Sequence, residues 1–316
     1  MAGPLSGKIA LVTGATSGIG FEASVKLAAM GATLVLVARD RARGEAAVAA
    51  VKKRSRSDAV SLMFCDFASL SQVRALAAGV MSSHPKLYIL VNNAGSASPK
   101  REVTEDGIER TFAVNRLAPF LLTNLLLDLL KRSAPAKVIN VASIEHRQGT
   151  LPFDNLQFEK GGYGITRAYA RSKLANVLFT MELARRLAGT GVTANCLDPG
   201  AVATNIWSHG PGYVRLVFAV ARLFMLSAEQ GADPIVQLAV SSEVEGLTGG
   251  YYERNRKVTP SPLARDHAIA KRLWDRSAAL VGLSPDAHDT VQTHLNPKCT
   301  CVEVAFSAQH SSPAES

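Results

Sequence analysis

The sequence Ile9-Ala-Leu-Val-Thr13 is followed at once by Gly14-Ala-Thr-Ser-Gly18-Ile-Gly20, and these twelve residues are the strongest indication of the fold. Ile9–Thr13 is short and apolar on both sides, as a strand covered on both faces is. In a strand–turn–helix unit, the first glycine permits a tight turn, the second lets backbone approach a pyrophosphate, and the third lets helix and strand pack closely. Free N–H groups at the helix start then attract phosphate, so the stretch predicts a dinucleotide-binding unit, with a purely structural turn as the alternative. The expected phosphate contacts are Gly14, Ser17, Gly18, Ile19 and Gly20.

Further apolar runs alternate with stretches of helical periodicity along the chain. The clearest helix is expected from about Ile165 to Ala188, and Glu105–Arg132 has a similar pattern with Pro119 as a local kink. Alternating strands and helices imply a parallel sheet with right-handed crossovers. We therefore predict a single α/β domain over residues 1–284, a Rossmann-type doubly wound parallel sheet of about seven strands. The further strand-like runs are Thr33–Val37, Ala59–Cys65, Leu87–Val91, Lys137–Val141 and Val192–Leu197.

Composition narrows the class of protein. The chain has 316 residues, 47% of them hydrophobic, which is enough for one large core. The chain contains no run of about 20 apolar residues, so no helix is expected to span a membrane. Met1–Lys8 lacks the charged-then-apolar pattern of a secretory signal. The net charge of +9 comes from scattered Lys and Arg without a nucleic-acid motif, so we expect no nucleic-acid partner. Cys65 and Cys196 end apolar runs and are expected to be buried, whereas Cys299 and Cys301 form a lone C-x-C. The chain therefore predicts no metal site and a reducing, cytoplasmic setting.

Two long segments interrupt the alternation and are candidate substrate loops. Residues 144–164 are long for a strand-to-helix loop, and residues 201–226 follow the sixth strand. The second contains the apolar stretch Tyr213–Leu226, which we interpret as a substrate lid, with a surface membrane contact or a plain core helix as alternatives. His146 and His209 are expected to border this pocket as loop histidines. Residues 285–316 are polar and predicted to be disordered.

The tip of the second strand predicts which dinucleotide binds. An acidic residue there would accept from the adenosine 2′-hydroxyl, but this chain has Arg39, whose guanidinium suits a 2′-phosphate. Arg43 offers a second contact. Asp40 favours NAD instead, and a solvated Arg39 is the alternative interpretation. On this charge pattern we expect NADP(H) to be preferred over NAD(H).

Several motifs, in order, resemble those of the short-chain dehydrogenase/reductase family in its classical form, over about Leu5 to Gly282. Beyond the glycine turn, they are Asn92-Asn93-Ala94-Gly95, Asn115, Ser143, Tyr169-Ala-Arg-Ser-Lys173 and Pro199-Gly200 followed by Thr204. Three other stretches are similar to the retinol dehydrogenase-like branch of that family. They are Phe120–Leu127, Asn155-Leu156-Gln157 and Ser172–Phe179.

The motif residues predict a catalytic group. Tyr169 and Lys173 are four apart on a helix and share one face, where the ammonium is expected to favour the phenolate. Tyr169 can then exchange a proton with a carbonyl oxygen, while Ser143 donates a hydrogen bond to that oxygen or merely caps a turn. The resemblance implies that Asn115 bends its helix and holds a water linking Lys173 to solvent, with ordinary polar packing as the alternative.

The resemblance also implies the remaining cofactor contacts. Asn92, Ala94 and Gly95 are expected beside adenosine and ribose, and Lys173 on the nicotinamide ribose. Asp66 is expected at the adenine edge, or else as a helix cap. The backbone of Pro199-Gly200 and Thr204 are expected at the carboxamide. Asp198 is more charged than the residue common at its position, with no assigned role.

The sequence thus predicts an NADP-dependent oxidoreductase that interconverts an apolar aldehyde or ketone and its alcohol, with Tyr169 as general acid/base. A tailoring ketoreductase of a secondary-metabolite pathway would share every catalytic residue. A non-catalytic NADP-binding regulator would have lost Tyr169 or Lys173, and both are intact. The expected partner is an apolar small molecule, while peripheral membrane contact and a homo-oligomer stay open.

Overall fold

A computed structural model describes residues 3–202 and 226–284 of the chain. Thr204, His209, nearly all of the predicted lid, and the tail 285–316 with its two cysteines lie outside the described residues. The two ends of the predicted substrate loop 201–226 lie side by side, since Leu226 N–H donates to the Ala201 carbonyl at 2.9 Å.

One eight-stranded sheet forms the centre of the molecule, in the order β3-β2-β1-β4-β5-β6-β7-β8. The first seven strands are parallel, and β8 pairs antiparallel to β7. Since the chain crosses from β3 at one edge to β4 beside β1, a crevice opens beyond the carboxyl ends of β1 and β4. The strands are β1 (Ile9–Thr13), β2 (Thr33–Ala38), β3 (Val60–Phe64), β4 (Ile89–Asn92), β5 (Ala136–Val141), β6 (Val192–Asp198), β7 (Tyr251–Glu253) and β8 (Arg256–Val258).

Helices cover both faces of the sheet, and each layer encloses its own apolar core. Helices α3, α5, α6 and α8 build one core, in which Phe120 of α5 and Phe179 of α6 pack on Trp274. Helices α1, α2 and α7 build the other against the opposite face. The helices are α1 (Gly18–Ala29), α2 (Arg41–Ser55), α3 (Leu70–Ser83), α4 (Arg110–Phe112), α5 (Ala118–Arg132), α6 (Ile165–Arg186), α7 (Ala228–Val240) and α8 (His267–Leu280).

The predicted doubly wound α/β domain is confirmed, and the six predicted strands lie within two residues of their predicted bounds. The sheet has one strand more than expected, because β7 and β8 form a hairpin of three residues each. Strands this short carry no periodicity that a sequence pattern could show. The hairpin turns through Arg254 and Asn255, both with positive φ.

The predicted helix over Glu105–Arg132 is wrong at its start and in its regularity. It begins at Arg110, because the Glu109 side chain accepts from the N–H groups of Thr111 and Phe112 and caps it there. A π-helical turn over Ala113–Leu117 follows α4. The expected irregularity therefore comes before Pro119 rather than at it. Proline has no backbone N–H, so the carbonyl four residues earlier lacks its usual α-helical donor.

The continuous helical stretch Arg110–Arg132 is long and apolar enough to cross a membrane by length and composition, with a mean hydropathy of 1.3. However, 83% of its apolar window is buried inside the fold. That burial is what a core helix of an α/β domain shows, and the stretch is weak grounds for a spanning segment. Cys65 and Cys196 are buried free thiols, as predicted, and burial raises the pKa of each to about 12.

One buried charge stands out in the α5–α6 core. Arg116 is fully buried, and among the described residues none of its three guanidinium nitrogens has a hydrogen-bond partner. Its guanidinium lies over the rings of Phe120 and Phe179, 4.7 and 4.8 Å from their centroids. Burial lowers the pKa of Arg116 to about 9. A charge without a counter-ion in such a site opposes folding, and the two aromatic faces offset only part of that cost.

Candidate active site

The glycine positions of the turn after β1 do not tolerate side chains. Gly14 and Gly18 have positive φ, +65° and +60°, which L side chains rarely adopt. A Cβ on Gly14 would lie 2.8 Å from the Cα of Ala94, and one on Gly20 would lie 2.3 Å from Nδ2 of Asn93. The turn is therefore pressed against the segment that follows β4, as the predicted dinucleotide unit requires.

Asn93 holds this turn, a role that the motif Asn-Asn-Ala-Gly did not reveal from sequence. Its Nδ2 donates to the carbonyls of Thr13 and Gly14 at 2.9 and 3.1 Å. In return, the hydroxyl of Thr13 accepts from the backbone N–H groups of Asn93 and Ala94. These bonds fix the ends of β1 and β4 to each other at the crevice.

The start of α1 is open to an anion. Ser17 is its N-cap, but the serine side chain forms no capping hydrogen bond, and the first turn holds no acidic residue. The first N–H groups of α1 thus have no capping acceptor within that turn, and the helix dipole favours negative charge there. Ile19 is buried beneath the turn. The cradle fits the diphosphate of a dinucleotide.

The four predicted catalytic residues come together at the carboxyl end of the sheet. Tyr169 lies on α6, is 8% exposed, and has the Ser143 side chain near enough to lower the pKa of its phenol. Lys173 Nζ lies 5.4 Å from the centre of the Tyr169 ring and donates to the Val141 carbonyl at 2.9 Å. A Cβ on Gly95 would lie 3.5 Å from Asn115 Oδ1 and 3.8 Å from Lys173 Nζ, so these groups border one space.

A family profile described as short chain dehydrogenase matches residues 8–210. The chain belongs to the short-chain dehydrogenase family. Retinol dehydrogenase 13 of Homo sapiens is 40% identical over 284 residues, covering 88% of this chain and 86% of that protein. Retinol dehydrogenase 14 of Homo sapiens is 41% identical over 297 residues, covering 89% and 88%. These likenesses confirm the retinol dehydrogenase-like branch. An uncharacterized protein from Mycobacterium paratuberculosis shares the fold at 30% identity, with a TM-score of 0.73, over 88% of this chain and 95% of that chain.

In this short-chain dehydrogenase, burial controls the ionisation of the tyrosine. Burial raises the pKa of Tyr169, the Ser143 hydrogen bond lowers it, and the charges of Asp198 and Glu145 raise it further. Burial also lowers the pKa of Lys173 to about 8, opposed by the charge of Asp198. The phenolate-favouring effect expected of Lys173 is thus outweighed. The tyrosine is a protonated acid at neutral pH.

Ser143 caps a turn, which is the alternative role anticipated for it. Its hydroxyl caps the 3-10 turn Ile144–Gln148 by accepting from Glu145 N–H at 3.2 Å, and it also meets the phenol of Tyr169. Below it, His146 is fully buried, and Ser261 N–H donates to its Nε2 at 3.1 Å. Because Nε2 accepts, Nδ1 carries the proton and donates to the Ser143 carbonyl at 2.8 Å. His146 is therefore a buried link that holds the serine in place, rather than the loop histidine expected.

Asn115 lies in the π-helical turn, is 1% exposed, and connects three segments of the short-chain dehydrogenase. Its Nδ2 donates to the Ser96 carbonyl and to the Ser172 hydroxyl, each at 2.9 Å, and its Oδ1 accepts from Ser96 N–H at 2.7 Å. Both Nδ2 protons and one acceptor site of Oδ1 are thus bonded within the protein. This matches the polar-packing alternative.

Two side chains that were predicted to contact adenosine form hydrogen bonds with other groups of the protein. Asn92 is buried, and its Nδ2 donates to Thr123 at 3.0 Å and to Asn140 at 2.8 Å, which ties β4 to α5 and β5. Asp66 accepts from Ala68 N–H at 2.9 Å and so caps a turn before α3. Contact with a nucleotide would come from the backbone of Asn92 and Gly95 and from the half-buried edge of Asp66.

The remaining predicted cofactor residues line the two ends of the crevice. Arg39 and Arg43 are exposed at the tip of β2, and Asp40 accepts from Arg43 N–H at 2.8 Å as the N-cap of α2. Pro199 and Gly200 form the turn after β6, where Gly200 has a φ of +84°. The residues predicted for the adenosine end thus lie beside β2, and those predicted for the nicotinamide end lie after β6.

Proposed function

We propose that this short-chain dehydrogenase interconverts an apolar aldehyde or ketone and its alcohol, with NADP(H) as its preferred cofactor. The observation that carries the proposal is the cluster of Tyr169, Ser143 and Lys173 at the carboxyl end of the sheet, next to a glycine cradle that fits a diphosphate. The Ser143 side chain lies near enough to the phenol to lower its pKa, and the ammonium lies 5.4 Å from the centre of the phenol ring.

The residues divide the work of a reduction. NADPH, when bound, supplies the hydride that the carbonyl carbon takes up. Ser143 donates a hydrogen bond to the carbonyl oxygen and stabilises the negative charge that grows there. Tyr169 gives its phenolic proton to the same oxygen, so that the alcohol leaves neutral. The Lys173 ammonium stabilises the resulting phenolate until solvent returns the proton, and oxidation runs these steps in reverse.

The tip of β2 supports the preference for NADP. Arg39 and Arg43 are exposed there and free to meet a 2′-phosphate. Asp40, the feature of the sequence that favours NAD, is engaged by Arg43 N–H as a helix cap. Its carboxylate is therefore less available to a ribose hydroxyl than the sequence suggested.

An apolar substrate is supported by the edge of the cleft and by the relatives. Ile144, directly after the proposed catalytic serine, leaves 48% of its surface exposed. The relatives named above are retinol dehydrogenases, and retinol is a long apolar alcohol. The substrate class proposed here follows from these two observations.

A screen of NADPH oxidation over retinal, alkanals, aromatic aldehydes and cyclic ketones tests the proposal. We expect at least one apolar carbonyl to be turned over, and Tyr169→Phe to remove about 99% or more of kcat while NADPH still binds. Tyr88→Phe, before β4 at the opposite end of the sheet, serves as the matched control and should keep its turnover. Turnover by Tyr169→Phe at the unmodified rate would contradict the proposed role, and NADPH binding without turnover of any compound would favour the regulator.

The cofactor preference has its own test. Arg39→Ala should weaken NADPH by about 1.5–3 kcal/mol, or roughly tenfold to a hundredfold, and change NADH binding little. Lys53→Ala removes the same charge from an exposed position at the far end of α2 and should leave both affinities unchanged. Equal losses for NADPH and NADH in Arg39→Ala would remove the case for a bound 2′-phosphate.

A further inference from the structure

Asp198 is a buried carboxylate beside the catalytic group that the proposed mechanism does not use. It is the last residue of β6 and is 6% exposed. Its carboxylate lies near the backbone N–H groups of Ile144 and Gly200, both of which lower its pKa. One of these N–H groups follows Ser143 and the other follows Pro199. The carboxylate thus joins the turn of the catalytic serine to the turn at the nicotinamide end.

The strand register brings this carboxylate close to Lys173. Lys173 Nζ donates to the carbonyl of Val141, the last residue of β5. Val141 pairs with Leu197 in the β5–β6 register, and Asp198 is the next residue along β6. Within residues 3–202 and 226–284, no carboxylate forms a direct salt bridge with Lys173, although the lysine is only 3% exposed. Asp198 is the carboxylate whose charge acts on this ammonium.

The other charged and titratable groups around Asp198 come from three elements. Glu253 on β7 pairs with it in the sheet register, and Arg147 of the serine turn binds Glu253 at 3.2 Å. Tyr251 lies on β7 as well, and Tyr169 and Lys173 lie on α6; the charge of Asp198 acts on all three. Burial and Glu253 raise the pKa of Asp198, whereas Lys173 and the two backbone N–H groups lower it. Because Arg147 already binds the Glu253 carboxylate, the charge of Asp198 is the one left to balance the charge of Lys173.

We propose that Asp198 is a positioning residue, which fixes the serine turn against the proline–glycine turn and supplies the counter-charge of the buried Lys173 ammonium. This inference rests on the proposed function, in which Tyr169 and Lys173 carry the proton chemistry. The charge of Asp198 favours the protonated form of both groups, since it raises the pKa of each. It therefore keeps the lysine cationic and the tyrosine able to donate a proton at neutral pH.

The direct test is the titration of Lys173 by NMR in protein labelled with carbon-13 at lysine Cε. The Lys173 resonance is identified by its loss in Lys173→Met. In Asp198→Asn, we expect its titration midpoint to fall by about one pH unit, because a neighbouring negative charge has been removed. Glu253→Gln, which neutralises the paired carboxylate on β7, is the matched control and should leave the midpoint within a few tenths of a pH unit.

A Lys173 midpoint that stays in place in Asp198→Asn would overturn the proposal. In Asp198→Asn, the new amide nitrogen would face two backbone N–H donors, which could prevent folding. In that case, Asp198→Ser removes the charge with a smaller group. The reciprocal titration needs neither variant, because Lys173→Met must raise the midpoint of the Asp198 carboxyl carbon by a similar amount. An unmoved midpoint there also overturns the proposal.

Turnover gives a second readout. In the proposed reduction direction, the alkaline limb of kcat/KM should move to lower pH in Asp198→Asn and stay in place in Glu253→Gln, whereas a purely structural defect would lower the rate without moving the limb. The titrations require no substrate. A failed carbonyl screen would count against the proposed function and leave the titrations interpretable, and an unmoved midpoint in an active enzyme would count against Asp198 alone.

Discussion

Gly20→Ala is the substitution whose effect the geometry fixes most tightly. The new Cβ would lie 2.3 Å from Asn93 Nδ2 and 2.6 Å from the Gly14 carbonyl oxygen, well inside van der Waals contact. Relief requires Asn93 to leave the turn, which breaks its two hydrogen bonds to Thr13 and Gly14. At about 1 kcal/mol for each bond and about 1–3 kcal/mol for the overpacking, the free energy of unfolding should fall by about 3–5 kcal/mol. For a chain of this size, that lowers Tm by roughly 5–15 °C.

Gly79→Ala is the matched control for this substitution. Gly79 also lies within a helix, α3, but an added Cβ would meet nothing within 4 Å. This variant should therefore be more stable than the unmodified chain by about 0.5–1 kcal/mol, the usual gain of alanine over glycine in a helix. Urea denaturation measures both changes, and NADPH fluorescence should show about tenfold weaker binding in Gly20→Ala. Unmodified stability and NADPH affinity in Gly20→Ala would refute the close approach of α1 and the β4 segment.

Three further predictions concern groups around the site and core. Arg116→Met should raise the free energy of unfolding at neutral pH by about 1–3 kcal/mol, because it removes a buried charge without a hydrogen-bond partner; a loss of stability in urea denaturation would show that the aromatic faces outweigh burial. Burial lowers the pKa of His146 below its ordinary value of 6.5, so the unfolded chain binds that proton first and stability should fall as pH drops below about 6.5. His146→Asn should weaken this acid dependence and lower kcat more than it changes KM, since Ser143 loses its anchor; an unchanged acid slope by thermal unfolding would contradict the link to Ser261. Ser143→Ala should lower kcat by about a hundredfold with little change in NADPH affinity, and full activity in steady-state assays would exclude its role at the carbonyl oxygen.

The sequence was sufficient to place the crevice and the groups around it. Short apolar runs such as Ile9–Thr13 predicted the strands, because a strand that is covered on both faces consists almost entirely of apolar residues. Once the strands were placed in parallel, the residues at their carboxyl ends had to share one edge of the sheet. Ser143 and Tyr169 met there as expected.

What the sequence did not show depends on bonds between distant segments. The roles of Asn93 and His146 arise only when the ends of other strands and loops are near them. The ionisation of Tyr169 was predicted from its helical neighbour alone, whereas burial by the whole fold decides it. Local spacing gives the neighbours of a side chain on its own helix and says little about how much solvent the rest of the chain excludes.

In the proposed reaction, a hydride moves from NADPH to a carbonyl carbon while Tyr169 supplies the proton. The most direct measurement uses NADPH carrying deuterium at C4 of the nicotinamide, with the best carbonyl from the screen, and follows the label by mass spectrometry. We predict one deuterium on the carbinol carbon of the product with the unmodified chain, and about a hundredfold or slower appearance of labelled product with Tyr169→Phe. Product without deuterium would contradict hydride transfer from NADPH, and the same rate of labelling in both proteins would contradict the role of Tyr169.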